Sequence, residues 1–413
     1  MKVLITSVPG FGHLCPLIPL AQALQTAGHD VAFATSAAVA AFIEAAGLAV
    51  LPAGPHWLES GFSHTHPNAQ PIPGYRNDLA TYVEQTVLPQ LLDDVATHIQ
   101  TWKPDVIMSN DFEIAGRTLA EKNHIPFVLL SSGPRVPRAL REQWQGPLFA
   151  GARKVQGLPV EQPLAYSMRW LHLCFSPQWY GFASDTAYQP ADNEFGVRPA
   201  VFDGFSQWQN SETITPRNIG LNVLCTLGTV FDKDLRLVRS VVDGVSPHVA
   251  HLWLTRNSST LDTLRDELPD NVHLVNGPLS SLLPKMDVCI SHGGTSTLTT
   301  ALLHGVRNVL IPQGADQIIN ALVCNQQQLA VGLMNTVTHD ANADQGRPLL
   351  TPALVRQGFQ RLLEEPCYQR NTARYQASAA QLADLEQATD WIEQVVSTGT
   401  PLNRSLVETD RLG

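Results

Sequence analysis

The sequence predicts an α/β protein built from two Rossmann-like, doubly wound parallel sheets that face each other across a cleft. Short apolar runs alternate with amphipathic stretches in both halves of the 413-residue chain, which is typical of parallel strands covered by helices on both faces. The two halves are similar in size, and a chain of this length normally holds two or three domains. Open sheets of this kind bind ligands beyond the carboxyl ends of their strands.

The first half opens with an apolar run at 2–8, a turn at Pro9 and Gly10, and an amphipathic stretch at 16–26. This order predicts a strand, a glycine turn and a helix. The same alternation predicts further strands and helices, with strands at 31–35, 106–109 and 127–131 and helices at 37–46 and 114–123. From 134 to 216 the alternation fails among Trp, Phe and Pro residues, which indicates an aromatic, partly helical excursion.

The second half predicts another series of strands, at 222–226, 249–254, 272–275, 287–291 and 309–312. We place the domain boundary near residues 215–220. The predicted organisation is therefore an N-terminal domain at 1–215, a C-terminal domain at 221–376, and a last helix at 377–396 that packs back on the N-terminal domain.

The composition excludes several classes of protein. Asp plus Glu is 37 and Lys plus Arg is 27, a formal net charge of −10, which opposes general binding to nucleic acid or anionic lipid. No apolar run reaches the roughly 18 residues needed to cross a bilayer. The six cysteines are single, without a CxxC pair, which predicts reduced thiols in a cytoplasmic protein.

The clearest chemical signal is the segment HGGTST at 292–297, which lies between a predicted strand and a helix predicted at 298–303. Consecutive glycines let backbone amides approach an anion, and the positive end of the helix dipole is directed at it. A tight turn before an N-capped helix would account for the Ser, Thr and Gly residues alone. We interpret the segment as a diphosphate cradle whose candidate residues are His292, Gly293, Gly294, Ser296 and Thr297.

A second polar group follows the next predicted strand. Asp316 and Gln317 come just after the strand at 309–312. A carboxylate accepts hydrogen bonds and an amide both donates and accepts them, so the pair can hold adjacent hydroxyls of a sugar.

At this point the sequence resembles a known family. Residues 292–321 read HGGTSTLTTALLHGVRNVLIPQGADQIINA and resemble the nucleotide-sugar signature of family 1 glycosyltransferases, which have the GT-B fold, and in particular of bacterial natural-product enzymes. The segments 223–231, 275–287 and 10–35 resemble further parts of the family, in the family's order. The resemblance implies transfer of a hexose or deoxyhexose from a dTDP- or UDP-sugar to a small hydrophobic or aromatic acceptor.

The resemblance also implies which residues contact the donor. Gly12 and Thr229 would bind the diphosphate of the donor. Gly277 would bind its nucleobase, and Asp316 and Gln317 would bind its sugar. Two positions depart from the family pattern: Ser296 stands where Gly is usual, and Asn276 and Gly277 replace a segment that often carries a base-stacking Trp. The missing Trp favours dTDP over UDP.

His13 is the candidate general base. It follows the glycine-containing turn after the first strand, and a neutral imidazole with an ordinary pKa near 6.5 can accept a proton from a hydroxyl. The resemblance matches His13 to the family's base and Asp111 to its carboxylate partner, although Asp111 could also N-cap the next helix. We expect a single in-line displacement with inversion at the anomeric carbon, without a cofactor or a metal.

Three other polar groups could bind a metal or a charged ligand, but we interpret them as solvated. They are the DxD of Asp232 and Asp234, the HxH of His64 and His66, and the three arginines Arg135, Arg138 and Arg141. The acceptor is expected to contact residues 56–75 and the aromatic segment 144–208. The chain is expected to be a monomer or a homodimer.

A dinucleotide-dependent oxidoreductase is excluded by its own fingerprint. Gly10 and Gly12 begin a GxG, but Cys15 stands at the third glycine position and no acidic residue lies near Thr35.

Two alternatives keep the fold. A transferase acting on a lipid carrier, or a nucleotide-sugar epimerase, would be expected to show a basic, apolar face that this acidic chain lacks. A catalytically idle activator or binding partner would not need the combination of His13, Asp111, His292, Asp316 and Gln317.

Overall fold

The computed structural model describes residues 1–56, 87–182, 190–202, 204, 220–227, 235–255, 259–314, 316–334 and 350–404. Of these, the residues up to Phe202 and those from Gln381 form one compact unit, and those between 203 and 380 form a second. Each unit holds one parallel sheet flanked by helices, so the predicted fold class is confirmed.

The sheet of the first unit has seven parallel strands in the order β3-β2-β1-β4-β5-β6-β7. The strands are β1 Lys2–Thr6, β2 Asp30–Thr35, β3 Ala49–Pro52, β4 Val106–Asn110, β5 Phe127–Ser131, β6 Leu171–Cys174 and β7 Glu194–Gly196. The strand order reverses between the neighbours β1 and β4, and α/β sheets bind their ligands at such a switch point.

Six described helices lie between these strands. They are α1 Phe11–Leu14, α2 Ile18–Thr26, α3 Ala40–Ala45, α4 Leu88–Trp102, α5 Ala115–Lys122 and α6 Arg138–Val155. Every residue of β4 and β5 is buried, which explains why these strands read as continuous apolar runs.

In the described part of the segment predicted as an excursion (134–182, 190–202 and 204), the alternation of helix and strand continues and extends the sheet. α6, β6 and β7 extend the alternation, and Trp170, Phe175 and Tyr180 are buried side chains. The prediction was wrong because β6 and β7 are only four and three residues long and carry polar residues that mask an apolar run. Trp144 is 38% exposed, and Trp208 lies outside the described residues.

The second unit has six parallel strands in the order β10-β9-β8-β11-β12-β13. They are β8 Asn222–Thr226, β9 His251–Thr255, β10 Val272–Val275, β11 Val288–Ser291, β12 Arg307–Leu310 and β13 Ala330–Gly332. Its described helices are α7 Leu235–Val245, α8 Leu279–Leu282, α9 Thr295–Leu303, α10 Asp316–Gln326, α11 Pro352–Glu364 and α12 Pro366–Ala380.

The segment predicted as one helix at 377–396 contains the end of α12 and most of a separate helix, α13 Leu385–Thr398. Asp384 caps α13, since its Oδ1 accepts a hydrogen bond of 2.9 Å from the Gln387 amide. α13 packs on α2 and β6 of the first unit. Among the described residues, no helix combines the length and apolar character needed to span a bilayer.

Candidate active site

His13 lies in the short helix α1, directly beyond the carboxyl end of β1. Its amide donates to the Gly10 carbonyl at 3.0 Å, which fixes the turn that Pro9 and Gly10 begin. The imidazole is partly exposed, and its ring lies edge-on to the ring of Phe112 with 5.9 Å between centroids. Gly12 is exposed, and a Cβ there would meet no atom within 4 Å.

Asp111 follows β4, the neighbour of β1, so the two predicted residues lie at the same edge of the sheet. The loop after β4 is held by Asn110, whose Oδ1 accepts from the amides of Phe112 and Glu113 at 3.3 and 3.1 Å. Phe112, the ring partner of His13, is the residue that follows Asp111, so Asp111 is next in the chain to a residue that contacts the imidazole.

The cap of helix α5 belongs to Glu113, so the alternative role considered for Asp111 is wrong. The two carboxylate oxygens of Glu113 accept from the amides of Ala115 and Gly116, both at 2.8 Å. The helix begins at Ala115, too far along the chain for Asp111 to cap it. Glu113 stands two positions before Ala115 and three before Gly116. An acidic residue at this spacing before the first helical residues is the sequence signal that would have identified the cap.

Glu113 is buried beneath the loop and accepts a 2.6 Å hydrogen bond from the Thr6 hydroxyl. Burial raises the pKa of its carboxyl, while the bonds from Thr6, Gly116 and Ala115 oppose the shift. A Cβ at Gly116 would lie 2.1 Å from Thr6 Oγ1, so only glycine fits at this crossing of α5 and β1.

The carboxylate of Asp111 is held by cationic and hydroxyl groups. Arg141 Nη1 donates to its Oδ1, Ser131 Oγ donates to the same oxygen at 3.0 Å, and Arg117 Nη2 lies 3.9 Å from it. Burial lowers the pKa of Arg117 to about 9, with Glu113 opposing the shift.

The interpretation of the three arginines as a solvated face is wrong for two of them. Arg141 and Arg135 are buried and bind Asp111 and Glu194, whereas Arg138 is exposed and pairs with Glu142 at 2.9 Å. Their sequence spacing does not reveal this, because the partners come from distant strands.

A buried polar chain continues behind Asp111. Ser131 Oγ lies 2.7 Å from His172 Nε2; since the hydroxyl proton is donated to Asp111, the imidazole is the donor in this bond. Burial and then the charges of Arg141, Arg135 and Arg117 lower the pKa of His172 well below its ordinary value, so the ring is neutral.

His172, Cys174 and Glu194 offer ligand atoms within 4.8 Å of one another. Glu194 already pairs with Arg135 at 2.5 Å, and burial raises the pKa of the Cys174 thiol to about 12. A neutral thiol and a carboxylate bound to a guanidinium are poor ligands for a cation.

In the second unit the segment that was predicted to bind a diphosphate lies at the carboxyl end of β11. Helix α9 begins at Thr295 rather than at 298, with Gly294 as its N-cap. Gly293 has φ of +82° and its amide donates to Ser291 Oγ at 3.2 Å. Ser296 and Thr297 therefore stand in the first helical turn, where backbone amides lack intrahelical acceptors.

The imidazole of His292 lies close to the backbone of Gly294. A Cβ at Gly294 would lie 2.4 Å from His292 Nε2, so any larger residue there would displace the buried imidazole. Burial lowers the pKa of His292, with Asp316 opposing the shift. Its Nδ1 is buried and has no hydrogen-bond partner within the described part of the chain.

Asp316 connects helix α10 to the start of α9. Its Oδ2 accepts from the amide and the hydroxyl of Thr295 at 3.1 and 2.7 Å. Asn320 completes the junction by donating to Gly293 O at 2.8 Å and to Thr295 Oγ1 at 3.0 Å. Neither this cap nor the role of Asn320 was predicted from the sequence.

The remaining predicted donor residues differ in how they are placed. Gln317 is buried, and its Oε1 accepts from the Gln313 amide at 2.9 Å. Gly277 is buried after β10. Outside the described residues lie Thr229, Asp232, Asp234, His64 and His66, together with most of the segment 56–75.

Two domain models of one family match this chain. The N-terminal domain of erythromycin biosynthesis protein CIII-like proteins matches residues 22–179, and the C-terminal domain matches residues 249–392. The chain belongs to this family of bacterial antibiotic glycosyltransferases. The resemblance in the sequence is thereby confirmed.

Individual glycosyltransferases are similar over most of their length. The L-demethylnoviosyl transferase of Streptomyces niveus is 29% identical, over 83% of this chain and 86% of the relative. The 3-alpha-mycarosylerythronolide B desosaminyl transferase of Saccharopolyspora erythraea is 26% identical, over 91% and 93%.

The glycosyltransferase SsfS6 of Streptomyces sp. SF2575, solved with thymidine diphosphate, has a TM-score of 0.70 and 21% identity, over 95% of this chain and 99% of its own. This likeness shows that the present chain has the GT-B fold, with two Rossmann-like units.

Proposed function

We propose that this glycosyltransferase moves a hexose or deoxyhexose, with inversion and without a metal, from a dTDP-linked donor to a hydrophobic or aromatic natural-product acceptor. The proposal that the chain binds a nucleotide-linked donor is supported by the turn of His292, Gly293 and Gly294 at the amino end of α9. The thymidine diphosphate bound by SsfS6 supports dTDP as the carrier.

The donor diphosphate binds at the start of α9 in this proposal. The Thr295 amide is used by Asp316, and the next amides of the first turn, those of Ser296 and Thr297, face the anion together with the positive end of the helix dipole. His292 adds a side-chain donor. These groups stabilise the charge that develops on the leaving diphosphate, which is the role that a divalent cation has in other transferases.

Asp316 and Gln317 bind the donor sugar. The described hydrogen bonds of Asp316 are all made by Oδ2, so Oδ1 is the oxygen that accepts from a sugar hydroxyl. Gln317 is held through its Oε1 and donates with its amide nitrogen.

His13 activates the acceptor. A ring nitrogen of His13 takes the hydroxyl proton, the acceptor oxygen forms a bond to the anomeric carbon, and the bond from that carbon to the diphosphate oxygen breaks with its electron pair. Asp111 stabilises the imidazolium that forms. Phe112 is 48% exposed beside the imidazole, which supports an acceptor with a flat apolar face.

The donor half is tested by thermal shift with dTDP, UDP and GDP. Ligand at 100 times its dissociation constant adds about 2.7 kcal/mol to the folded state, so dTDP should raise the melting temperature most. Gly294→Ala should abolish this rise because its Cβ would displace His292. Gly146→Ala is the matched control, since its Cβ would meet only Pro163 at an ordinary 3.5 Å. A rise with GDP alone would contradict a dTDP donor.

The acceptor half is tested by His13→Ala. We expect the dTDP-induced shift to persist while turnover falls by about 10² to 10⁴, the usual contribution of a general base. Unchanged turnover with a panel of aromatic acceptors would remove His13 from the mechanism.

A further inference from the structure

Arg141 is buried in the first unit although nothing in its sequence context predicts burial. Its side chain is 4% exposed on helix α6, and its guanidinium reaches Oδ1 of Asp111, which is itself 18% exposed. A buried guanidinium needs a partner of opposite charge. Asp111 supplies one, so the ion pair constrains both side chains.

Three donor groups converge on one oxygen of Asp111. Arg141 and Ser131 donate to Oδ1, and Arg117 approaches it at 3.9 Å. The described hydrogen bonds of Asp111 thus leave Oδ2 unused. One carboxylate oxygen is thereby fixed, and in the proposed mechanism the other oxygen orients the imidazole of His13.

Arg141 also balances the charge of Asp111. An isolated carboxylate beside His13 would stabilise the imidazolium and keep the base protonated at neutral pH. A guanidinium bonded to the same carboxylate opposes that effect. The base can then remain neutral and ready to accept a proton, while the geometry of the pair is kept.

Other charged and titratable groups face Asp111 from the elements packed around it. Arg117 lies on α5 beside Glu113, and His172 on β6 is reached through Ser131. His13 lies beyond Phe112. Arg135 and Glu194 pair with each other behind His172, and Cys174 lies next to its ring. Of these groups, Arg141 is the cation that bonds Asp111 directly.

We propose that Arg141 is a positioning residue of this glycosyltransferase, holding the Asp111 carboxylate in place and balancing its charge so that His13 stays an effective base. The inference rests on the proposed roles of His13 and Asp111. It adds that the base depends on a third residue, which lies in helix α6 and does not contact either substrate.

The test compares Arg141→Gln, which keeps a donor without charge, with Arg141→Lys, which keeps the charge without the planar fork. Arg138→Gln is the matched control: it lies one turn earlier on α6, is 56% exposed and pairs only along the helix with Glu142. For each variant, kcat and kcat/KM are measured against pH with a dTDP-sugar, together with the donor KM and the melting temperature.

Arg141→Gln should lower kcat about tenfold or more, because a misplaced carboxylate misorients the base. It should also move the acidic limb of kcat/KM upward by about one pH unit, the size of shift that one charge produces in a partly buried site. Arg141→Lys should lower kcat but keep the wild-type acidic limb. The donor KM should be unchanged in both, and Arg138→Gln should match wild type.

An acidic limb that stays in place in folded Arg141→Gln would overturn the charge-balancing role, and an unchanged kcat would overturn positioning. Should Arg141→Gln not fold, Ser131→Ala tests the same arrangement, since it removes one bond to Oδ1 without altering charge. That variant should lower kcat with no change in the acidic limb; an unchanged kcat would overturn positioning. Failure of the proposed function is separate: His13→Ala would then retain turnover, whatever the Arg141 variants do.

Discussion

Asp111 in the first unit and Asp316 in the second both come just after a strand and were both predicted as site residues, yet they are held by different partners. Asp111 is bound by a buried guanidinium and a hydroxyl. Asp316 is bound by the amide and hydroxyl of Thr295 at a helix start. One carboxylate is balanced by a full charge and the other by dipoles.

The difference shows that two carboxylates of similar sequence context can contribute to stability by different amounts. Removing Asp111 takes away the carboxylate that pairs with the buried guanidinium of Arg141, which is costly. Removing Asp316 leaves an amide and a hydroxyl near a helix end, where water can replace the lost acceptor at small cost. We therefore expect substitution of Asp111 to reduce the free energy of unfolding more than substitution of Asp316 does.

The largest effect is expected for Asp111→Asn. We expect a loss of about 3 kcal/mol in the free energy of unfolding, because the buried guanidinium of Arg141 loses its ion pair with the Asp111 carboxylate. The double variant Asp111→Asn with Arg141→Met should recover much of that loss but none of the turnover. Urea unfolding and single-turnover kinetics measure the two quantities. Equal stability of the single and double variants would contradict an ion pair of this strength.

A smaller effect is expected for Asp316→Ala. Loss of the cap on α9 should reduce the free energy of unfolding by about 1 kcal/mol, and discrimination among donor sugars should weaken. Asp316→Asn retains an acceptor for Thr295, so it should be nearly as stable as wild type. A loss as large as that of Asp111→Asn would mean that the two carboxylates are not distinguished by their partners.

The smallest effect is a pH dependence that involves His172. Its pKa is lowered in the folded state, so the unfolded chain takes up this proton first as pH falls. The contribution of His172 to stability is therefore complete above the unfolded value near 6.5 and declines below it. Unfolding followed between pH 7.5 and 6 should show a shallower loss of stability in His172→Gln than in wild type, by somewhat less than about 1 kcal/mol at pH 6. Parallel curves would argue against a neutral His172.

The strands whose ends were predicted correctly share one property. β5, β8 and β10 are short runs bounded by turn residues or by a change to polar sequence, so local pattern determines them. The turn at Gly293 and Gly294 was also predictable, because two glycines between a strand and a helix are typical of a tight turn. Its helix was placed three residues late, since Thr and Ser at its start resemble a loop.

The partners of the site residues could not be predicted from local pattern. Arg141 is 30 positions from Asp111, and Ser131 meets His172 across 41 positions. These contacts depend on the order of the strands, which periodicity does not reveal. Glu113 differs, because its carboxylate accepts from amides only two and three residues further along the chain. This cap is local and could have been predicted, but Asp111 was considered as the capping residue instead.

The position of α13 affects how this protein can be recombined with its relatives. Trp391 packs on Phe195 with 4.6 Å between ring centroids, and Ile392 and Val395 belong to the same core as β1. A chain truncated after α12 would expose that core. A chimera that exchanges the second unit should therefore replace it as an internal cassette between residues 202 and 381, with both original termini retained.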